Sequence, residues 1–285
     1  MKRILITGLD SYVGNHLKRW LEKFPGKYST DTISLRNEGW KETPFFDYDV
    51  VFHVAGIAHV SADPDMESLY YRVNRDLTIE AAKKAKEEGV SQFIFVSSII
   101  VYGDVEDGII HENTIPRPSN FYGLSKLQAE EGIKTLETDT FKVAILRPPM
   151  IYGPGSKGNY PKLAKISRVI PLFPNIKNQR SVLFIDNLSE FIRLLIENEE
   201  RGSFFPQNAE YVGTSELVQV IAEAHGKQVS LVKFLNPFLH TFGRKLGIMK
   251  KVFGNLVYDQ RLSTYKQEYR IVNFRESIIA TEQKR

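Results

Sequence analysis

Short apolar runs alternate with longer amphipathic stretches along the first half of the chain, and this rhythm restricts the fold more than any other feature. Ile4-Leu5-Ile6 precedes an amphipathic stretch from Val13 to Phe24, and Thr32-Ile33-Ser34-Leu35 follows. Val50-Val51-Phe52-His53-Val54 precedes Met66 to Glu88, and Phe93-Ile94-Phe95-Val96 comes next. Strands and helices in alternation predict an α/β fold, a doubly wound parallel sheet with helices on both faces. Leu69, Val73, Leu77, Ala81 and Ala85 recur at intervals of four, the buried face of a helix that Gly89 ends. Another helix is read over 120–137 and a strand over Val143–Leu146, stopped by Arg147-Pro148-Pro149 because proline cannot continue the ladder. Beyond Pro149 the stretch 152–161 reads as loop, Val182–Ile185 as strand, and Leu188–Ile196 and Ser215–His225 as helices.

The 285 residues suffice for one large core or a core with a smaller lobe. Lys and Arg number 38 against 34 acidic residues, a net +4 that suits anionic small ligands and falls short of a nucleic-acid-binding field. The absence of cysteine excludes disulfides, thiolate nucleophiles and thiolate metal sites, and agrees with a reducing cytoplasm. None of the six histidines forms a His-x-x-x-His pair, so no metal is expected. Three apolar residues after Lys2-Arg3 are too few for a signal-peptide core, and no apolar run is long enough to span a bilayer. Segment 238–253 mixes bulky apolar and basic residues and reads either as a membrane-surface helix or as a helix of the lobe or of a subunit contact. Two glycines interrupt its pattern, which favours the second reading and no membrane association.

Chemistry enters at the strand ends. The first strand runs into Thr7-Gly8-Leu9-Asp10-Ser11-Tyr12-Val13-Gly14 and then a helix, where a dinucleotide pyrophosphate can meet free helix N–H groups. Gly8 allows the tight turn, Gly14 lets helix and strand pack closely, and Ser11 stands at the middle glycine position with a hydroxyl that can itself donate. Arg36 lies 28 residues after Gly8 at the second strand tip. An acid there accepts from a ribose 2′-hydroxyl whereas arginine accommodates a 2′-phosphate, so NADP(H) is favoured over NAD(H). Tyr122 and Lys126 share one helix face, and a neighbouring ammonium stabilises a phenolate whose free pKa is about 10. Ser98 ends the strand upstream and can hydrogen-bond a reacting carbonyl or alcohol.

In order, Thr7-Gly8 to Gly14, Asp49-Val-Val-Phe-His-Val-Ala-Gly56, Val73-Asn74, Phe95-Val-Ser-Ser-Ile-Ile-Val-Tyr-Gly103, Tyr122 to Lys126, Leu146-Arg-Pro-Pro-Met-Ile-Tyr-Gly-Pro-Gly155 and Phe184-Ile-Asp186 resemble the extended short-chain dehydrogenase/reductase superfamily, in its NAD-dependent epimerase/dehydratase branch. The resemblance implies catalysis by Ser98, Tyr122 and Lys126, with Asn74 holding the central helix. It implies a Rossmann-like core over 1–148 and a mainly substrate-binding lobe over 149–285, of which some segments, about 181–200, return to the core. Ala55 and Gly56 would line the cofactor and the backbone near Pro149 would meet the nicotinamide amide. Asn159 and Arg180 match contacts to the pyrophosphate of a nucleotide sugar, arginine through its bidentate fork. A homodimer through a helix bundle follows by analogy. Dehydratases usually carry Thr-Asp-Glu where Ser97-Ser98 stands, so dehydration is not expected. Three functions stay open: an NADPH-consuming reductase of a UDP-4-keto-6-deoxy-(N-acetyl)hexosamine, a UDP-hexose 4-epimerase retaining NAD, and a non-catalytic NADP(H) sensor.

Overall fold

The computed structural model of the chain describes residues 1–58, 63–236 and 254–283, so segment 238–253 lies outside the described residues. In chain order the strands and helices are β1 (Lys2–Thr7), α1 (Tyr12–Leu21), β2 (Tyr28–Ile33), β3 (Val50–His53), α2 (Glu67–Tyr70), α3 (Leu77–Glu87), β4 (Gln92–Val96), β5 (Ile109–Ile110), α4 (Phe121–Lys134), β6 (Lys142–Leu146), β7 (Met150–Tyr152), α5 (Asn159–Ser167), β8 (Leu172–Pro174), β9 (Val182–Phe184), α6 (Ile185–Glu197), β10 (Gly202–Phe204), α7 (Thr214–Ala224), β11 (Ser230–Val232), β12 (Val257–Tyr258) and α8 (Phe274–Gln283). The chain divides into two compact units. The first holds Met1–Asp104, Thr114–Pro148 and Leu188–Pro206; the second holds Val105–Asn113, Pro149–Asn187 and Gln207–Arg285.

The first unit is a six-stranded sheet in the order β10-β6-β4-β3-β1-β2, every pair parallel. Strands covered on both faces need apolar residues at every position, which explains Val50-Val51-Phe52 and Phe93-Ile94-Phe95. One face presents Leu5, Val51, Phe93, Phe95, Val143 and Ile145 to Ala81, Ala82 and Ala85 of α3 and Ala129 and Ile133 of α4. The small alanines bring these helices close to the sheet. The alternate residues Ile4, Ile6, Phe52, Ile94 and Ala144 are buried on the other face. There α1 approaches so closely that a Cβ at Gly14 would stand 2.9 Å from Ile6 Cγ2. Trp20 Nε1 donates to Glu190 of α6 at 2.9 Å, and the Gln92 amide donates to the Leu195 and Glu200 carbonyls, which fixes α6 beside α1. Helices on both faces make this the doubly wound Rossmann-like sheet that the alternation predicts.

Three local readings change. β2 starts at Tyr28 and ends at Ile33, earlier than the apolar run suggested, because an edge strand needs no continuous apolar sequence and Tyr-Ser-Thr-Asp-Thr-Ile is only half-buried. Between α2 and α3, residues Tyr71–Asp76 form a π-helical turn. Its wider winding rotates the helix face by one position, so Tyr70, Asn74 and Thr78 are fully buried while Leu69, Val73 and Leu77 are half-buried. Inside the stretch read as loop, α5 begins at Asn159, and Pro161 is tolerated in its first turn, where N–H groups lack intrahelical acceptors.

In the second unit β7 pairs with β9, β8 with β11 and β5 with β12, all parallel. The β5–β12 pair draws Val105–Asn113 into this unit. The β7–β9 pair keeps 182–184 there as well, and the segment grouped with the first unit is Leu188–Pro206. Phe173, Val218, Ala222 and Val229 form a small core. Glu282 of α8 accepts from Tyr160 at 2.9 Å, Arg168 at 2.5 Å and His225 at 2.7 Å, tying α8 to α5 and α7.

Candidate active site

From β1 the chain turns to β2 on one side and then to β3 on the other, so the carboxyl ends of β1 and β3 flank a switch point, where open α/β sheets bind ligands. Gly8 sits there with φ +103°, a left-handed conformation that side chains resist, and a Cβ would press to 3.2 Å from Ala55 N. Ser11 caps α1, its Oγ accepting from Gly14 N at 3.2 Å. The hydroxyl thus serves the helix as an acceptor and keeps its proton for a ligand. Tyr12 and Val13 form the first turn of α1, a helix end of the kind that receives phosphate. Arg36, three residues past β2, has its guanidinium 3.1 Å from the Asp10 carboxylate, both side chains exposed.

On the other side of the switch point, Asn74 is buried and bidentate to one peptide segment. Its Oδ1 accepts from Ile57 N at 2.9 Å, and its Nδ2 donates to Ile57 O at 3.0 Å and to Ser125 Oγ at 3.3 Å. The π-turn is what aims this side chain inward. A Cβ at Gly56 would stand 2.9 Å from Asn74 Oδ1 and 3.3 Å from Lys126 Nζ, so only glycine leaves the backbone open beside that ammonium. His53, which the sequence reading passed over, lies between Thr7 Oγ1 at 2.9 Å and Thr78 Oγ1 at 3.0 Å, and Thr78 donates to Asn74 O at 2.8 Å. Burial, with Lys126 nearby, holds this imidazole down at about 3, so it is neutral and structural.

Asn120 caps α4, accepting from Gly123 N at 2.9 Å, and thereby sets where Tyr122 and Lys126 project. Ser98 is the cap of the 3-10 turn Ile99–Tyr102, its Oγ accepting from Ile100 N at 3.3 Å. The structure brings the Ser98 hydroxyl close enough to the Tyr122 phenol to act on its acidity. Burial pushes the Tyr122 phenol up to about 12, the Ser98 hydroxyl acts against this, and Tyr70, whose ring centroid lies 5.7 Å away, adds to the rise. Lys126 Nζ donates to Val96 O at 3.0 Å and lies 4.6 Å from the Phe95 ring centroid. Its burial pulls the ammonium down to about 8, opposed by Glu130. Glu130 and its buried partner Arg147 were not singled out from sequence, although the i, i+4 spacing from Lys126 was the available signal.

Pro149, Asn159 and Arg180 belong to the second unit. Pro149 is buried just before β7, and Asn159 is exposed at the start of α5. Arg180 bridges Val212 and Leu256 through its backbone, and its Nη1 donates to Gly254 O at 3.0 Å. Burial holds its guanidinium below the usual arginine range, and among the described residues it pairs with no carboxylate. An open cavity of about 520 Å³ in this unit is bounded by Asn175, Asn178, Gln179, Tyr211, Ser215 and Asn255. Among the described residues no helix is long and apolar enough to cross a membrane.

A glycine turn that a Cβ would fill, a capped helix start and a buried ammonium beside an open backbone fit a dinucleotide. Fold and site define a nicotinamide-dependent α/β oxidoreductase. Residues 4–205 match the NAD dependent epimerase/dehydratase family, and the chain belongs to it. It is 33% identical to the UDP-glucose 4-epimerase of Vibrio cholerae over 79% of this chain and 76% of that protein. It is 28% identical to the GDP-6-deoxy-D-mannose reductase of Pseudomonas aeruginosa over 81% of this chain and 83% of that protein. The fold is similar to the structure of RMD from Pseudomonas aeruginosa complexed with NADPH, with TM-score 0.77, 22% identity and 99% of each chain covered.

Proposed function

We propose that the protein modifies a nucleotide sugar and, specifically, reduces a UDP-4-keto-6-deoxy-(N-acetyl)hexosamine at C4 with NADPH. The observation that carries this reading is the Ser98–Tyr122 hydroxyl pair with a phenol held protonated well above neutral pH. A protonated phenol beside a second hydroxyl is a proton donor for a carbonyl oxygen. Ser98, which accepts from Ile100 N, would polarise that oxygen while Tyr122 delivers its proton. Lys126, one helical turn along, would stabilise the phenolate. The bound nicotinamide supplies the hydride. Ser11, Tyr12, Val13, Ala55, Gly56 and Asn74 would hold this cofactor, and Arg36 would meet a 2′-phosphate.

Arg180 supports an anionic substrate, because a half-buried guanidinium satisfied by a neutral carbonyl keeps its charge for a diphosphate. Asn159, the other residue read as a pyrophosphate contact, begins α5 of the same unit as Arg180. A 4-epimerase is the second reading, favoured by the 33% identity to a UDP-glucose 4-epimerase; the same residues would then move the proton in both directions around a retained NAD.

Reduced-nicotinamide absorbance distinguishes them. Purified protein mixed with the 4-keto substrate should oxidise NADPH stoichiometrically and faster than NADH. No oxidation, with NAD released on denaturation, would overturn the reductase in favour of the epimerase.

A further inference from the structure

Among the described residues, the most deeply buried ion pair of the first unit lies one helical turn beyond Lys126. Glu130 is fully buried on α4, and Arg147 is buried at the end of β6. Arg147 Nε donates to both Glu130 oxygens at 3.1 Å, and Nη2 donates to Oε2 at 2.5 Å. Oε1 also accepts the Ser97 hydroxyl at 2.5 Å, and Arg147 Nη1 donates to the Tyr102 hydroxyl at 2.7 Å. A buried ion pair gains little over apolar residues of the same volume, so stability alone does not account for it.

Its placement does. Tyr122, Lys126 and Glu130 follow one another at intervals of four on one helix face. Ser97 immediately precedes Ser98 and donates its own backbone N–H to Leu146 O at 2.7 Å, next to Arg147. One carboxylate therefore touches the helix carrying Tyr122 and Lys126, the strand end carrying Ser98 and the neighbouring strand.

We propose that Glu130 is a positioning residue that keeps the buried Lys126 ammonium charged and in place, with Arg147 as its counterweight and Ser97 as its link to Ser98. The inference rests on the reading of Lys126 as a site residue. Among the described residues, the charged and titratable groups that act on Lys126 are Glu130 on its own helix and the neutral His53 on β3, with Arg147 on β6 paired to Glu130 behind it. Glu130 is the one anion in this set. Removing it withdraws an attraction and leaves Arg147 uncompensated, and both changes favour a neutral Lys126.

The test is a titration of Lys126 by the NMR signal of 13Cε-labelled lysine in the whole protein without cofactor or substrate, assigned with Lys126→Arg. The wild-type midpoint should fall near 8. In Glu130→Gln it should fall by about one pH unit, a tenfold drop in the ratio of protonated to neutral lysine at fixed pH. Glu130→Asp should retain the wild-type midpoint. The double variant Glu130→Gln/Arg147→Met, which leaves no orphaned charge, should fall by a smaller amount and decides the matter where the single variant does not fold. A midpoint within about 0.2 pH unit of wild type in whichever glutamine variant folds overturns the proposal. Because no turnover is measured, failure of the ketoreductase reading leaves this result standing, and the reverse also holds.

Discussion

The Arg36 guanidinium stands 3.1 Å from the Asp10 carboxylate, joining the segment after β2 to the turn after β1. Exposed pairs of this kind add little stability. Their weight lies in ligand choice, since a 2′-phosphate and Asp10 would compete for one guanidinium. Arg36→Ala is expected to weaken NADPH binding about tenfold or more while leaving NADH within about twofold. Asp10→Asn should tighten NADPH by about threefold. Cofactor fluorescence titrations check both, and equal losses for the two cofactors in Arg36→Ala would place the 2′-phosphate elsewhere.

Tyr122→Phe removes the proton and keeps the ring that packs against Tyr70. Turnover should fall by about 100-fold to 10,000-fold, with NADPH affinity changed by less than about twofold. Steady-state rates alongside cofactor binding read the two separately. Activity near wild type would mean that another group delivers the proton.

Asn74 satisfies both the N–H and the carbonyl of Ile57. Asn74→Ala leaves these buried groups without their partner, at about 1–3 kcal/mol. For a chain of this size that corresponds to a Tm lower by several degrees, on the order of 2–4 °C per kcal/mol. Calorimetry measures it, and an unchanged Tm would show that the backbone there finds other partners.

His53 makes stability depend on pH with a defined sign. Its folded pKa is depressed to about 3, below the ordinary 6.5, so below 6.5 the unfolded chain binds a proton that the folded chain does not. The contribution is complete above 6.5 and is lost as pH falls toward 3, by up to about 1.4 kcal/mol per pH unit. Urea unfolding at several pH values should show a steeper acid loss for wild type than for His53→Gln. Parallel curves would show that other groups dominate the acid transition.

The elements most legible in the sequence were those whose residues report on immediate neighbours. Val50-Val51-Phe52 and Phe93 to Val96 announce strands covered on both sides, and Gly8 to Gly14 announces a tight turn into a helix. The i, i+4 spacing of Tyr122 and Lys126 places them on one face without any knowledge of the sheet. β2 was less legible, because an edge position relaxes the demand for apolar residues that pattern reading relies on.

By itself, then, the sequence determined the alternation of strands and helices, the glycine turn at the first strand end and the Tyr-Lys helix face, all set by backbone sterics and short-range periodicity. Only the tertiary structure decided that a π-turn rotates Asn74 inward, that Glu130 meets Arg147, and that Ser97, Ser98, Tyr122 and Lys126 converge. Those contacts join residues many positions apart, and their energies come from burial and charge pairing that exist only once the sheet has assembled.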